Sequence, residues 1–173
     1  MATSSSNKMP LLVDRPLHSF ATIGATAALT TATNLNTPAP AGCVLLVDCS
    51  ANDGAVIDSL SIICNEATTT TSNVIAFLST ATTAANITTA NTVAVATGTI
   101  GSTSMGDRTN ISLPPLTVPV PNLGGTTSAS ETDKKNTGLY VPSGALLYVG
   151  LDVVLSTPSA ATVVHVLAQG GFF

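Results

Sequence analysis

Residues 145–155, ALLYVGLDVVL, and residues 162–169, TVVHVLAQ, with Thr157-Pro158-Ser159 between them, decide the fold class. In the first run Leu147, Val149, Leu151, Val153 and Leu155 fall on every second position. Successive side chains of a strand point to opposite faces, so this spacing predicts a strand with one continuous apolar face. A threonine-proline-serine cluster turns the chain. The second run is rich in β-branched residues, which suit a pleated surface, and closes the chain before Gly170-Gly171-Phe172-Phe173. Upstream, Leu139-Tyr140-Val141 reads as a short strand and Pro142-Ser143-Gly144 as another turn.

The same pattern extends toward the N-terminus. Residues 43–49 (CVLLVDC), 55–64, 72–80 (SNVIAFLST) and 92–100 (TVAVATGTI) read as strands, with Leu60, Ile62 and Cys64 on one face. Residues 20–31 form a weaker candidate, and 81–91 a loop or one helical turn. Asn52-Asp53-Gly54 is a turn signal. Pro114, Pro115, Pro119 and Pro121 exclude a central strand over 111–123 and favour an extended edge. Residues 124–138 hold Glu131, Asp133, Lys134 and Lys135, the densest charge in the chain, and read as an exposed loop. Many short strands separated by turns, with no amphipathic helix, predict an all-β antiparallel sandwich. Residues 1–20 read as an extended N-terminal arm and 21–173 as a single domain. The short apolar patch of the arm, Met9, Leu11, Leu12 and Val13, followed by Arg15, is the expected partner contact.

Composition narrows function. Charged residues make up 8% of the 173, threonine is the commonest residue, aromatics are 3%, and tryptophan is absent. Five Lys plus Arg against nine Asp plus Glu give a net charge of −4, which disfavours a grip on nucleic acid. Mean hydropathy is +0.46, yet no run approaches the roughly 18 apolar residues of a membrane span, and the N-terminus lacks the apolar core of a secretory signal. Cys43, Cys49 and Cys64 match no zinc spacing and read as buried free thiols.

Catalytic patterns are sparse. His165 lies mid-strand on the face of Val163 and Leu167, without a G-x-S-x-G elbow, and His18 lies in the arm. The carboxylates are scattered; Asp48 and Asp58 sit in adjacent predicted strands and could meet across a hairpin, but glycosidase carboxylates come with aromatic sugar platforms that this chain lacks. Asn52-Asp53-Gly54 is only a fragment of a calcium loop, and Gly98, Gly101 and Gly106 lack the strand-to-helix setting of a phosphate loop. The sequons Asn86-Ile87-Thr88 and Asn110-Ile111-Ser112 carry little weight. No catalytic residue, cofactor or metal site is expected.

From Gly54 onward the order of elements is more particular. Gly54 and Ile57 open a strand containing Leu60 and Ile62; a threonine-rich loop and a strand with Phe77 and Leu78 follow. After a proline-containing link come Leu139, Val141, Pro142, Gly144 and Leu147, then a last strand ending Gly170-Gly171-Phe172. Over residues 54–173 this resembles the small β-sandwich virion proteins of tailed bacteriophages, particularly the capsid decoration, or cement, proteins. The resemblance implies a jelly-roll-like sandwich, a homotrimer, and a place on the capsid exterior bridging subunits of the major capsid protein. It implies no catalytic residues and arms that reach neighbouring subunits; charge and hydropathy, as above, lead to the expectation of no nucleic-acid or membrane partner. A neck, tail or fibre component of the same kind of particle is the alternative, and a carbohydrate-binding attachment module a more distant one.

Overall fold

A computed structural model describes residues 15–24, 29, 42–114, 138–155 and 162–173. Among these residues nine strands appear in chain order: β1 (Arg15–Gly24), β2 (Val44–Asp48), β3 (Gly54–Cys64), β4 (Ser72–Ser79), β5 (Thr92–Ile100), β6 (Arg108–Ile111), β7 (Leu139–Pro142), β8 (Leu146–Leu151) and β9 (Thr162–Phe172). One 3-10 turn, Ala84–Asn86, interrupts the series.

The strands form two antiparallel sheets. The first runs β1-β9-β3-β6, with β7 also paired to β3, and the second runs β2-β8-β4-β5. Apart from the β4–β5 hairpin and the β6–β7 link, each connection crosses from one sheet to the other. With β7 set aside, two four-stranded sheets of this order are a double Greek key, the jelly roll. The expected all-β sandwich is the observed fold.

Alternation explains what faces inward. Leu17, Ala21 and Ile23 of β1 meet Val164, Val166 and Ala168 of β9 and Leu60, Ile62 and Cys64 of β3, while Val74, Ala76, Leu147, Val149 and Leu151 come from the second sheet. The register of β3 against β9 shifts between Ile57 and Ser59. That bulge inserts one residue, Asp58, so Ala55 and Ile57 on one side and Leu60 and Ile62 on the other all reach the core. The interior is aliphatic, as the composition requires.

Strand β8 is buried on both faces. Leu147, Val149 and Leu151 point between the sheets, whereas Leu146 and Tyr148 point outward into a second, smaller cluster with Leu29, Cys43, Phe77, Ala81 and Ile87. The Tyr148 hydroxyl donates to the Ala81 carbonyl at 2.9 Å, and Leu29 N–H donates to the Leu151 carbonyl at 2.7 Å. The outer face of the second sheet therefore carries an extra layer.

Several expectations need correction. Arg15–Phe20, read as arm, is the first half of β1 and pairs with β9 from Arg15↔Phe172 to Phe20↔Leu167. The strand read over 145–155 stops at Leu151, because the Asp152 carboxylate turns back onto β4; Val153 is exposed rather than on the apolar face. The closing strand continues past Gln169 to Phe172. Strand β6 lies just before the proline-rich stretch, and its polar sequence RTNI carries no apolar alternation to announce it. Asp48 and Asp58 do not meet across a hairpin, since β2 and β3 belong to different sheets.

Candidate interaction face

The two sheets differ in what covers their outer faces. Among the described residues, no element packs over the outer face of the first sheet. Strand register assembles that face in rows. One row runs Phe20, Leu167, Ser61, Asn110, and the next Thr22, His165, Ile63, Arg108. Phe20 is 69% exposed, although it sits mid-strand. Phe20, Ile63, Asn65, His165 and Leu167 line a shallow recess of about 290 Å³. The Phe20 and His165 rings lie 6.4 Å apart, tilted at 55°.

His165 is held between two neighbours. Thr22 Oγ1 lies 3.1 Å from Nδ1, and Asn65 Nδ2 lies 2.7 Å from Nε2. The ring is thus bracketed by one polar partner at each nitrogen. These two contacts hold the ring in place in the lining of the recess.

A second apolar group lies along the same face. Tyr140, 46% exposed, is paired with Val56, and its ring centroid is 6.2 Å from that of Phe173. A polar row separates the two groups, with the Ser59 hydroxyl donating to Gln169 Oε1 at 3.2 Å. Ser61 in the Phe20 row is 1% exposed, and its hydroxyl has no hydrogen-bond partner among the described residues. Beside this face, β3 loses its outer partner between the end of β7 at Ile57 and the start of β6 at Leu60. A recess of about 570 Å³ fills this notch, with Asp58 and Arg108 at its rim.

Of the expected contact residues, Arg15 is the one the structure describes. Met9, Leu11, Leu12 and Val13 lie outside the described residues. Arg15 opens β1, where its guanidinium donates to Asn52 Oδ1 at 2.7 Å and lies 5.2 Å over the Phe172 ring. It thus caps one end of the sandwich rather than joining the apolar recess. Phe20, Ile63 and Leu167 went unnoticed as a group, because each belongs to a different strand and their adjacency follows from pairing order.

Elsewhere, polar groups serve the fold. Asp152 accepts from Ser72 Oγ at 3.0 Å, from Asn73 N–H at 2.6 Å and from Asn73 Nδ2 at 2.6 Å. Burial pushes its carboxyl up, but the donors of Asn73, Ser72 and Val153 outweigh that and hold it below the usual carboxylate range. Asp48 accepts from Ser50 N–H at 2.8 Å in a local turn. The three thiols are free and buried; burial pushes Cys43 up to about 12, and burial with the Asp48 charge pushes Cys49 up to about 11. Among the described residues, no three His, Cys, Asp or Glu side chains cluster in a way that could hold a metal ion. Compared with known proteins, the chain matches no family model, no curated sequence and no solved structure.

Proposed function

We propose that this chain is a structural, non-enzymatic subunit of a virus particle, a capsid decoration protein of the tailed-bacteriophage kind, which docks on shell subunits through the outer face of its first sheet. The observation that supports the reading is the uncovered apolar recess of Phe20, Ile63 and Leu167 on a sheet face whose counterpart on the second sheet is covered. Contiguous exposed apolar surface marks interaction sites. The fold alone does not carry the reading, because jelly rolls also serve as lectins and cupins. Low charge favours the same role, since a surface built of hydroxyls and methyls can be buried without desolvating ions.

The resemblance over 54–173 supplies the finer identity and the location on the capsid exterior. The arm enters in shortened form: because β1 begins at Arg15, removing residues 2–14 spares every described strand.

The test is co-sedimentation of the purified chain with expanded phage heads stripped of decoration, with occupancy read by electron cryomicroscopy. Wild-type protein is expected to saturate lattice positions. The Ile63→Lys/Leu167→Lys variant is expected to lose at least tenfold in occupancy with an unchanged circular dichroism spectrum, and the chain lacking residues 2–14 to lose occupancy as well. Failure of wild-type protein to bind, or full binding by the double variant, overturns the docking face; low copy number at a single vertex reassigns the chain to the neck or tail.

A further inference from the structure

Open sheets have edges, and edges expose unpaired N–H and C=O groups that natural proteins guard with short strands, bulges, charges or proline. Among the described residues the sandwich has four outer strands, and β7 forms a fifth partial edge. Strand β6 and strand β7 have four residues each. Strand β2 has five and its register shifts between Leu45 and Val47. Strand β5 is longer, but its pairing shifts between Ala76 and Phe77, which leaves Val95 as an inserted residue. Strand β1 is the exception. It runs in unbroken register from Arg15 to Ile23, and among the described residues its only guards, Arg15 and Pro16, stand at its first two positions.

We propose that β1 pairs with β1 of a second copy of this chain, antiparallel across a two-fold axis at Phe20, joining the first sheets of two molecules into one continuous sheet. The register follows from symmetry. Phe20 meets Phe20, His18 meets Thr22, Leu17 meets Ile23, and Pro16 meets Gly24. Arg15, the one charged residue of β1, falls beyond the last of these pairs, so no like charges oppose each other across the seam.

Pro16 agrees with this arrangement. Proline is tolerated in an edge strand where its nitrogen faces away from the sheet. Alternation then directs the backbone groups of His18, Phe20 and Thr22 outward as well, which is enough for about six hydrogen bonds across the seam. Phe20 gains what it lacks within one molecule. A ring 69% exposed on one side of the recess would stack against its copy, with facing Cβ atoms about 5 Å apart. The two recesses then become one apolar strip on a shared sheet face. This association is a two-fold dimer, in place of the trimer that the resemblance implies, and it does not depend on capsid docking.

Sedimentation equilibrium of the full chain tests it without any capsid. Wild-type protein is expected to sediment at twice the 17.2 kDa chain mass at tens of micromolar concentration. Phe20→Lys is expected to sediment at the chain mass with the same circular dichroism spectrum, whereas Val93→Lys, on the β5 edge, stays dimeric. Hydrogen exchange supplies the second reading: the amides of His18, Phe20 and Thr22 should exchange at least tenfold more slowly in the wild type than in Phe20→Lys. A wild-type monomer, a trimer mass, or a dimer that survives Phe20→Lys overturns the proposal. So does equal exchange of those three amides in the two proteins, which would mean that the molecules stack face to face instead of pairing at the edge.

Discussion

Ser61 is a buried hydroxyl at the centre of an otherwise well-satisfied sheet. A buried polar group without a partner costs about 1–3 kcal/mol, more than a neutral hydrogen bond contributes when made. Ser61→Ala removes that cost and leaves the methylene in place. The variant is expected to be at least as stable as the wild type, by up to about 1 kcal/mol, as read from the urea midpoint. Asp152 is the opposite case. Its donors hold its folded-state pKa below that of the unfolded chain. Its stabilisation is therefore fully present above the unfolded value of about 3.9 and is lost as pH falls through the lower folded value. Stability of the wild type should drop on acidification below about pH 4, and Asp152→Asn should flatten that part of the profile while lowering stability at pH 7. Neither residue is readable from sequence: a serine in an apolar strand and an aspartate after one look alike whether satisfied or not, because β4 supplies the donors to Asp152, whereas β9 and β6 flank Ser61 and leave its hydroxyl without one.

At the scale of elements, the link between β6 and β7 is bounded by one hydrogen bond, from Gly138 N–H to the Pro114 carbonyl at 3.0 Å. The two described ends of the link therefore meet. Replacing residues 115–137 by a two-residue turn is expected to keep the fold and, by shortening the closed loop, to raise stability by up to about 2 kcal/mol; loss of the cooperative thermal transition would refute it. Strands with apolar alternation, such as β3, β4 and β5, were legible in the sequence nearly to the residue, because a two-residue period needs no knowledge of neighbours. Strand β6 is not legible, since an edge strand of three polar residues and one isoleucine is fixed by pairing with Leu60–Ile63 rather than by its own pattern. The first half of β1 reads as an arm for a related reason: Arg15, Pro16 and His18 look like linker residues until β9 is placed beside them.

Across the whole molecule, the thiols report on how the sandwich opens. Cys49 and Cys64 lie in the core between the sheets and Cys43 in the layer outside the second sheet. Burial raises all three pKa values, so little reactive thiolate exists near neutral pH. A thiol-specific reagent at pH 8 should label none of them in the native protein and all three in urea. If the outer layer opens by itself, Cys43 alone will react first, and the rate difference measures the local stability of that layer. The β-rich class, the aliphatic interior and the scarcity of ionisable chemistry follow from composition and from alternation along single strands, which are local properties of the chain. The jelly-roll order, the covering of one sheet and not the other, and the gathering of Phe20, Ile63 and Leu167 depend on which strands lie side by side. Those pairings join residues more than a hundred positions apart, such as Phe20 and Leu167. Backbone hydrogen bonds are nearly the same for every partner, so a strand's own residues state that it will pair and leave its neighbour to be set by the packing of the whole sandwich.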